Sequence, residues 1–416
     1  MTTRSTTTGT TNGTARDRRI LFALLLGVIP LSQFPIDVYT PVIPEMVRDL
    51  GTSTTLVQNT VAAYVLGMSL GLLPVGIIAD AKGRKPTLLV SLALLVAASV
   101  AIVFTNDIGV LLVLRFVQGL GGCACMVLVY AIAADTFRGQ KLTSVSGWLG
   151  ASWGLAPVIA PAVGGVLSEF VSWRGNFVLV AVLAALAALA VWRLLPETLT
   201  AEAATPIRPR AIARVLGGTL RNRVFVGLTL VFAVFASAQL LFGVVAPLLY
   251  QTVLGLPTVT YSLIALLVGA ANLSGELATG ALATRLTSRV LGFSALAIFT
   301  AGALVLAGSG LLVGPDIVLI TLGGMLVMLG CGAICPLAYG LALGLFDRHL
   351  GLIGGLTSAV CYLLVAITLG SAAALPDDDQ TPIGLVYLAC ALLGGLFLAL
   401  WLPRRSSRSG AVTTPQ

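Results

Sequence analysis

The chain has 416 residues, of which 57% are hydrophobic and only 10% are charged. A soluble domain carries about 25% charged residues, so this composition excludes an ordinary water-soluble protein and indicates an integral membrane protein. The formal net charge of +8 would suggest nucleic-acid binding in a soluble protein, but in a membrane protein it is typical of basic loops on one face of the bilayer. We therefore expect the lipid bilayer as a partner, and not nucleic acid.

The N-terminal residues 1–19 are polar and rich in threonine, and they predict a disordered tail. The apolar run that follows them covers 20–43. A signal peptide has an apolar core of about 7–15 residues, so this longer run predicts a first membrane span that is not cleaved.

Apolar segments of about 20 residues, the length that crosses a bilayer as a helix, recur along the rest of the chain. They form two sets of six, separated by the polar segment 196–223. We expect an N-terminal bundle over 20–195, a linker over 196–223, a C-terminal bundle over 224–402 and a tail over 403–416. The predicted spans are 20–43, 56–79, 87–105, 108–134, 142–167 and 176–195, then 224–252, 259–283, 290–312, 317–346, 350–375 and 383–402.

The two sets of spans show weak internal similarity. Leu50 and Gly51 recur as Leu254 and Gly255, and Gly76 recurs as Gly280. Repeats of this kind are typical of transporters built from two similar halves. The sequence thus predicts an all-α membrane protein with twelve transmembrane helices in two pseudo-symmetric six-helix bundles.

The basic residues indicate the orientation. If the N-terminus is cytoplasmic, almost all of the lysines and arginines fall on the cytoplasmic side, as the positive-inside rule requires. Arg48 and Arg174 are the basic residues of the opposite loops, while acidic residues such as Glu169 and the run from Asp377 to Asp379 fall there. We expect a multi-pass plasma-membrane protein with both termini in the cytoplasm.

The loop after the second predicted span reads GIIADAKGRKP. Gly83 permits a tight turn, and Asp80 is placed to pair with Arg84. The loop resembles the signature of the major facilitator superfamily, G-x-x-x-D-x-x-G-R-[KR], and a reduced copy, GALATRLTSR, follows the eighth span with Thr284 in place of the acid. The resemblance implies a conformational latch, to which we assign Gly76, Asp80, Gly83, Arg84, Lys85 and Asp135; the alternative is that the basic residues only fix the topology.

Arg115 lies within the fourth predicted span, where an arginine costs about 2.5–3.5 kcal/mol on insertion scales. It therefore needs a polar partner or a water-filled cavity, unless its side chain reaches the membrane surface. Arg115, Gln118, Gly119 and Gly121 match the family's fourth-helix pattern R-x-x-[QG]-G-x-G.

The fifth predicted span carries closely spaced small residues and prolines. It resembles the helix that distinguishes exporters within the superfamily, on the strength of Gly150, Gly154, Pro161, Gly164 and Gly165. Small residues and a kink would let this helix slide against its counterpart in the other half. The alternative is a packing face without a role in transport.

Asp37 is an acid in the first span, within the stretch PIDVYTPVIP. This stretch resembles the first helix of the bicyclomycin/chloramphenicol-type drug:proton antiporters. Burial makes a carboxylate hold its proton more firmly, and a nearby arginine makes it hold the proton less firmly, so Asp37 and Arg115 are candidates for proton coupling. The alternative is an ion-paired, structural Asp37 near the outer face, and Glu276 of the eighth span is a further acid that would share or replace its role.

The resemblance also places several aromatic and amide side chains on helices that line the cavity in relatives. Such side chains suit a lipophilic ligand, although each would equally serve in packing. The predicted cavity residues are Phe34, Tyr39, Asn59, Tyr64, Gln118, Gln239, Phe242 and Asn272.

These features favour a monomeric, proton-coupled exporter of lipophilic small molecules or antibiotics that works by alternating access. An exporter or importer of an endogenous metabolite on the same fold is the alternative. A membrane enzyme is disfavoured, because the single histidine, His349, belongs to no catalytic set. We also find no nucleotide-binding P-loop, no repeated channel filter and no metal-ligand spacing among the six cysteines, so no cofactor or metal is expected.

Overall fold

The computed structural model describes residues 15–199, 209–283, 285–346, 350–372 and 379–401. All regular elements in these ranges are helices, and twelve segments are long and apolar enough to cross a membrane. The predicted all-α architecture with twelve spans is therefore confirmed. The predictions made for residues 1–14, for the C-terminal tail 403–416 and for Thr284, His349, Asp377 and Asp378 lie outside the described residues.

The spans agree with the sequence prediction to within a few residues, except for the first, which continues to Asp49. The first six are Arg16–Asp49, Thr54–Lys82, Arg84–Val103, Ile108–Thr136, Gly139–Leu167 and Arg174–Leu194. The seventh to twelfth are Arg223–Val253, Thr258–Leu282, Ser288–Leu312, Ile317–Leu343, Leu350–Ala372 and Thr381–Trp401.

Two of the predicted irregular segments are partly helical. The first helix begins at Ala15, inside the predicted tail, and the predicted linker contains a helix over Pro209–Arg221. This linker helix is too short and too charged to cross a membrane. Its apolar residues at positions 212, 215, 216 and 220 nevertheless form one face, and Leu216 packs against the end of the C-terminal bundle.

The first span is broken into five short pieces: Ala15–Val28, the 3₁₀ turn Ile29–Ser32, Phe34–Asp37, the 3₁₀ turn Thr40–Val42, and Ile43–Asp49. A proline occupies the second position of each of the last four pieces. Proline lacks the N–H that would continue the preceding helix but suits the first turn of a new one. The chain therefore restarts at each proline and leaves backbone carbonyl groups without helical partners.

The spans pack in the same way within each set of six. In the first set, the second and third spans pack on the fourth, and in the second set, the eighth and ninth pack on the tenth. The two sets meet where the second span packs on the eleventh and the fifth on the eighth. The repeat also holds in the backbone, since Gly51 and Gly255 both follow the first span of their set with positive φ, 56° and 69°.

Several helix contacts are too close for any side chain. A Cβ atom at Gly119 would collide with the carbonyl oxygen of Tyr64, and one at Gly67 with that of Phe116. Gly164 of the fifth span meets the carbonyl oxygen of Val38 in the same way. The colliding atom belongs to the backbone in each case, so a side chain would fit only if the whole neighbouring helix moved away.

We expect Gly164→Ala to destabilise the protein relative to Gly147→Ala, by about 1–3 kcal/mol, the usual cost of overpacking. Both changes exchange glycine for alanine in one helix, so they gain the same helix propensity. Gly147 has no atom within 4 Å of a built Cβ, whereas Gly164 meets backbone. Thermal unfolding of the two purified variants in detergent measures the difference, and equal midpoints would contradict this packing.

Candidate functional site

A cavity lies between the two halves of the molecule. The first and fifth spans line it from one half, and the seventh, eighth and tenth spans from the other. Its wall combines three amide side chains and one carboxylate with apolar and aromatic groups. The lining residues are Gln33, Asp37, Thr40, Pro157, Pro161, Gln239, Leu240, Phe242, Gly243, Tyr261, Ala265, Val268, Gly269, Asn272 and Met328.

Asp37 lies in the cavity wall with 8% of its surface exposed. The amide Nε2 of Gln33, one helical turn earlier, donates a hydrogen bond of 2.9 Å to its Oδ2. Among the described residues, no basic nitrogen comes within 4.0 Å of its carboxylate. The structure thus contradicts the ion-paired alternative and leaves Asp37 with a neutral partner.

Arg115 is fully buried within the N-terminal half, which excludes a side chain that reaches the membrane surface. Its Nη1 donates to the carbonyl oxygen of Pro35 at 3.0 Å and to Oε1 of Gln118, and its Nε donates to the carbonyl oxygen of Thr60 at 3.3 Å. Arg115 therefore lies near Asp37 without pairing with it. The guanidinium binds the backbone two residues before Asp37 and does not contact the carboxylate.

Two tyrosines enclose this guanidinium. The ring centres of Tyr39 and Tyr64 lie 4.5 Å and 4.7 Å from its central carbon. Tyr39 also shares a 2.7 Å hydrogen bond with the hydroxyl of Thr60, and Tyr64 donates to the carbonyl oxygen of Ser32 at 2.9 Å. Cation–π contacts and hydrogen bonds thus hold Arg115 against the broken first span.

Five predicted cavity residues lie outside the cavity lining. Tyr39, Tyr64 and Gln118 are fully buried around Arg115, and Gln118 donates to the hydroxyl of Ser99 at 2.8 Å. Phe34 is half-buried against the apolar core. Asn59 is half-buried and its Oδ1 lies toward Gly370 of the eleventh span. Tyr39, Tyr64 and Gln118 lie on helix faces that surround Arg115. The residue types alone do not distinguish such a face from one that lines a cavity.

Glu276, the second acid at membrane depth, lies one turn from the cavity on the eighth span. The Nδ2 of Asn272, which lines the cavity, donates a 3.0 Å hydrogen bond to its Oε1. A Cβ atom built at Gly154 would lie 2.6 Å from Glu276 Oε2. The glycine in the fifth span therefore makes the room that the carboxylate occupies.

The other predicted residues of the fifth span divide into two groups. Pro161 lines the cavity, and Gly165 approaches the hydroxyl of Ser262 on the eighth span so closely that a Cβ atom would collide with it. Gly164 faces the first span, while a Cβ atom built at Gly150 would lie 3.6 Å from the Tyr130 hydroxyl, an ordinary contact distance. Gly154, Pro161 and Gly165 thus face the other half, and Gly150 and Gly164 face their own.

The predicted latch residues form a polar cluster at the end of the bundle that carries most of the basic residues, called the basic end below. Arg84 pairs with Asp80 and, at 3.2 Å, with Asp135, and Gly83 turns the chain with φ of 113°. Lys85 Nζ donates to the carbonyl oxygen of Trp192 at 2.8 Å. A Cβ atom built at Gly76 would make an ordinary contact of 3.6 Å with Val127, and Gly76 is not part of the cluster.

Sequence reasoning missed Glu197 of this cluster. Its carboxylate accepts hydrogen bonds from the backbone N–H groups of Arg84 and Lys85, at 2.9 Å and 3.2 Å, and so caps the third span. It lies 113 and 112 residues after the two residues whose N–H groups it binds, so no local pattern identifies it. Among the described residues, the hydrogen bonds of this cluster join the N-terminal half to the first residues of the linker.

Gln33 and Gln251 were also missed. Gln33 carries a local signal, since an amide four residues before an acid lies on the same helix face. Gln251 carries none: it lies in a π-helical segment, Leu249–Val253, and its Nε2 donates to the carbonyl oxygen of Pro41 at 2.6 Å. This bond joins the seventh span to the first at the end opposite the basic end.

Within the part of the chain that the structure describes, no three His, Cys, Asp or Glu side chains are placed to hold a metal ion. All six cysteines are free. The site is therefore built from carboxylates, amides, aromatic rings and one guanidinium.

Comparisons with known proteins agree with this architecture. The chain is 37% identical over 197 residues to a bicyclomycin resistance protein homolog of Haemophilus influenzae, covering 47% of this chain and 49% of that one. It is 26% identical to multidrug resistance protein D of Escherichia coli over 93% of this chain and 96% of the relative. The crystal structure of a D-xylose–proton symporter superposes with a TM-score of 0.76 at 14% identity, over 94% of this chain and 98% of that one, which shows the shared fold.

The family model for the Major Facilitator Superfamily matches residues 25–371. This match covers most of both halves, including the broken first span, the buried arginine and the cluster at the basic end. The resemblance predicted from the sequence motifs is confirmed, and the chain belongs to the Major Facilitator Superfamily of membrane transporters.

Proposed function

We propose that this transporter exports lipophilic small molecules, including antibiotics of the chloramphenicol and bicyclomycin type, in exchange for protons. The observation that carries the proposal is the position of Asp37. Its carboxylate lies buried in the wall of a cavity that both halves share, and its hydrogen-bond partner is a neutral amide. A charge in this position favours neutralisation by a proton, so the cavity and the proton site are one place.

The names of the relatives support the nature of the substrate. One is a bicyclomycin resistance protein homolog and another a multidrug resistance protein. The cavity wall of this chain, with Phe242, Tyr261 and Met328 beside amide groups, is suited to ligands that are mainly apolar with a few polar atoms. A drug that enters would compete with the proton for Asp37, which couples the two movements.

The energy available from the proton is adequate. One charge that crosses a potential of 100 mV supplies about 2.3 kcal/mol. At about 1.4 kcal/mol per tenfold change in an equilibrium constant, one proton sustains roughly a fiftyfold gradient of a neutral substrate.

The coupling would run through the first span. A proton on Asp37 weakens the hydrogen bond from Gln33, because a bond to a charged acceptor is about twice as strong as one to a neutral acceptor. Four residues later, Pro41 receives the hydrogen bond from Gln251 of the other half. The two ionisation states of Asp37 would therefore act on a contact that closes the cavity at one end.

The orientation and the moving parts of the transporter follow from the same arrangement. The basic end faces the cytoplasm of a bacterial cell, and a monomer alternates its access as residues 20–195 move against residues 224–402 about the linker 196–223. The salt-bridged cluster of Asp80, Arg84 and Asp135 would keep the second, third and fourth spans together during this movement. Arg115 would hold the broken first span in register with the fourth span.

We expect Asp37→Asn to abolish proton-coupled export, because asparagine cannot exchange a proton. In respiring inverted vesicles, which acidify inside, addition of chloramphenicol or bicyclomycin should release protons with the native protein. It should release none with the variant.

Asp107→Asn is the matched control for this measurement. Asp107 caps the fourth span through the N–H of Val110, a bond that asparagine also forms, and it lies outside the cavity. The control should release protons like the native protein. An Asp37→Asn protein that still exchanges protons for drug would contradict the role of Asp37 and move it to Glu276.

Replacing Arg115 with lysine tests the backbone contacts. Lysine keeps the charge, but it lacks the planar guanidinium with which Arg115 binds the carbonyl oxygens of both Pro35 and Thr60. Each lost bond to a charged donor costs about 1.5–3 kcal/mol, so we expect export to fall at least tenfold. Arg48→Lys, at an exposed position of the first span, should export normally. If Arg115→Lys vesicles with the same amount of transporter exported as fast as native vesicles, export would need only the positive charge and not these hydrogen bonds.

A further inference from the structure

We propose that the linker helix, Pro209–Arg221, binds the phosphate groups of anionic phospholipids in the membrane leaflet at the basic end. Three of its arginines provide the positive charge, and an exposed leucine beside them contacts the lipid tails. Such a site is independent of the substrate and of the direction of transport.

The arginines of this helix lie on one face. A helix turns by about 100° per residue, so Arg210, Arg214 and Arg221 fall within roughly 40° of one another around its axis. All three are exposed. The helix contains no aspartate or glutamate, and the ion pairs among the described residues are formed by Arg84 and Arg174. This face, called the arginine stripe below, therefore presents positive charge that no described acid pairs with.

The opposite face holds the helix on the C-terminal half. Thr219 is buried, with 3% of its surface exposed, and Leu216 packs on an apolar cluster formed by the ends of the seventh, tenth and eleventh spans. The helix contacts the seventh and eleventh spans directly. Since these contacts lie on the other side of the helix, the arginine stripe is directed away from the protein.

A short turn fixes the height of the helix relative to the membrane. Asn222 alone separates the linker helix from the seventh span, and its Oδ1 accepts hydrogen bonds from the N–H groups of Val224 and Phe225, at 3.0 Å and 3.2 Å. The N–H of Asn222 in turn donates to the carbonyl oxygen of Thr219 at 3.1 Å. Because a span begins at the edge of the hydrocarbon core, the linker helix lies at the level of the lipid headgroups.

Leu220 distinguishes a phospholipid from a soluble anion. It is 48% exposed although it is apolar, and it lies between the arginine stripe and the face that contacts the protein. Helices that lie in the membrane interface combine basic and apolar residues in this way, and arginines next to a span attract anionic headgroups. A soluble phosphate would use only the arginines, whereas a phospholipid would use the arginines and Leu220. A lipid bound there would anchor the start of the seventh span in its leaflet.

The experiment measures lipid binding to the purified full-length protein in an uncharged detergent. Native mass spectrometry gives the Kd of the first bound phosphatidylglycerol, with phosphatidylcholine as the lipid without net charge. The triple variant Arg210→Gln, Arg214→Gln, Arg221→Gln removes the charge of the arginine stripe. We expect it to raise the Kd of phosphatidylglycerol at least fivefold and to change that of phosphatidylcholine less than twofold.

A second triple variant removes the same net charge elsewhere. Arg16, Arg18 and Arg19 are exposed at the start of the first helix, and their replacement by glutamine should change the Kd of phosphatidylglycerol less than twofold. Equal losses in the two triple variants would mean that net charge alone attracts the lipid, and would overturn the proposed site. Equal affinity of the native protein for both lipids would overturn it as well.

Further measurements guard against a folding defect and identify the source of the phosphate. Replacing the three stripe arginines by lysine keeps the charge and should leave the Kd of phosphatidylglycerol within threefold of the native value. Leu220→Ser should raise this Kd at least twofold, because it removes the contact with the lipid tails. Inorganic phosphate in tenfold molar excess should not displace the lipid. Displacement by inorganic phosphate, or an unchanged Kd for Leu220→Ser, would contradict a lipid site.

Discussion

A guanidinium inside a membrane must find hydrogen-bond acceptors within the protein, and the structure depends on how Arg115 meets this requirement. The acceptors are the carbonyl oxygens of Pro35 and Thr60 and the side chain of Gln118. The carbonyl of Pro35 is available because prolines interrupt the first span, and interrupted backbone is tolerated at this depth only when the protein satisfies it. The arginine and the broken helix therefore need each other. Together they fix the backbone that carries Asp37 without placing a counter-charge on its carboxylate.

The contact between the halves follows a second constraint. Surfaces that slide past each other in lipid gain little from apolar side chains, because the tails of the lipids are equally apolar. The fifth and eighth spans instead approach through glycines, as at Gly165 beside Ser262 and at Gly269 beside Val158. The second and eleventh spans add one side-chain bond, from the hydroxyl of Ser69 to the carbonyl oxygen of Ala359 at 2.8 Å. Such an interface fits closely but contains few bonds that must break when the halves move.

The sequence alone predicted the twelve spans and the family, because hydropathy, charge bias and short motifs are properties of neighbouring residues along the chain. It was less informative about the site. Of the predicted cavity residues, Gln239, Phe242 and Asn272 lie in the cavity lining, whereas Tyr39 and Tyr64 enclose Arg115. Whether a side chain lines the cavity or packs around Arg115 depends on which face of its helix carries it. These spans are apolar on nearly all faces, so the sequence pattern does not show which face points to the cavity. Contacts over long sequence distances, such as that of Glu197 with the third span, were beyond any local pattern.

The two ends of the molecule differ in the contacts that join the two halves. At the end opposite the basic end, Gln251 binds Pro41, and the fifth and eighth spans touch at Gly165. Toward the basic end, Gly147 of the fifth span and Gly280 of the eighth have no atom within 4 Å of a built Cβ among the described residues. The 3₁₀ turn that contains Pro41 begins three residues after Asp37, and the hydroxyl of Thr40 donates to the carbonyl oxygen of Asp37. The carboxylate of Asp37 is thus joined, through a few bonds of irregular backbone, to the end at which the first and seventh spans are hydrogen-bonded.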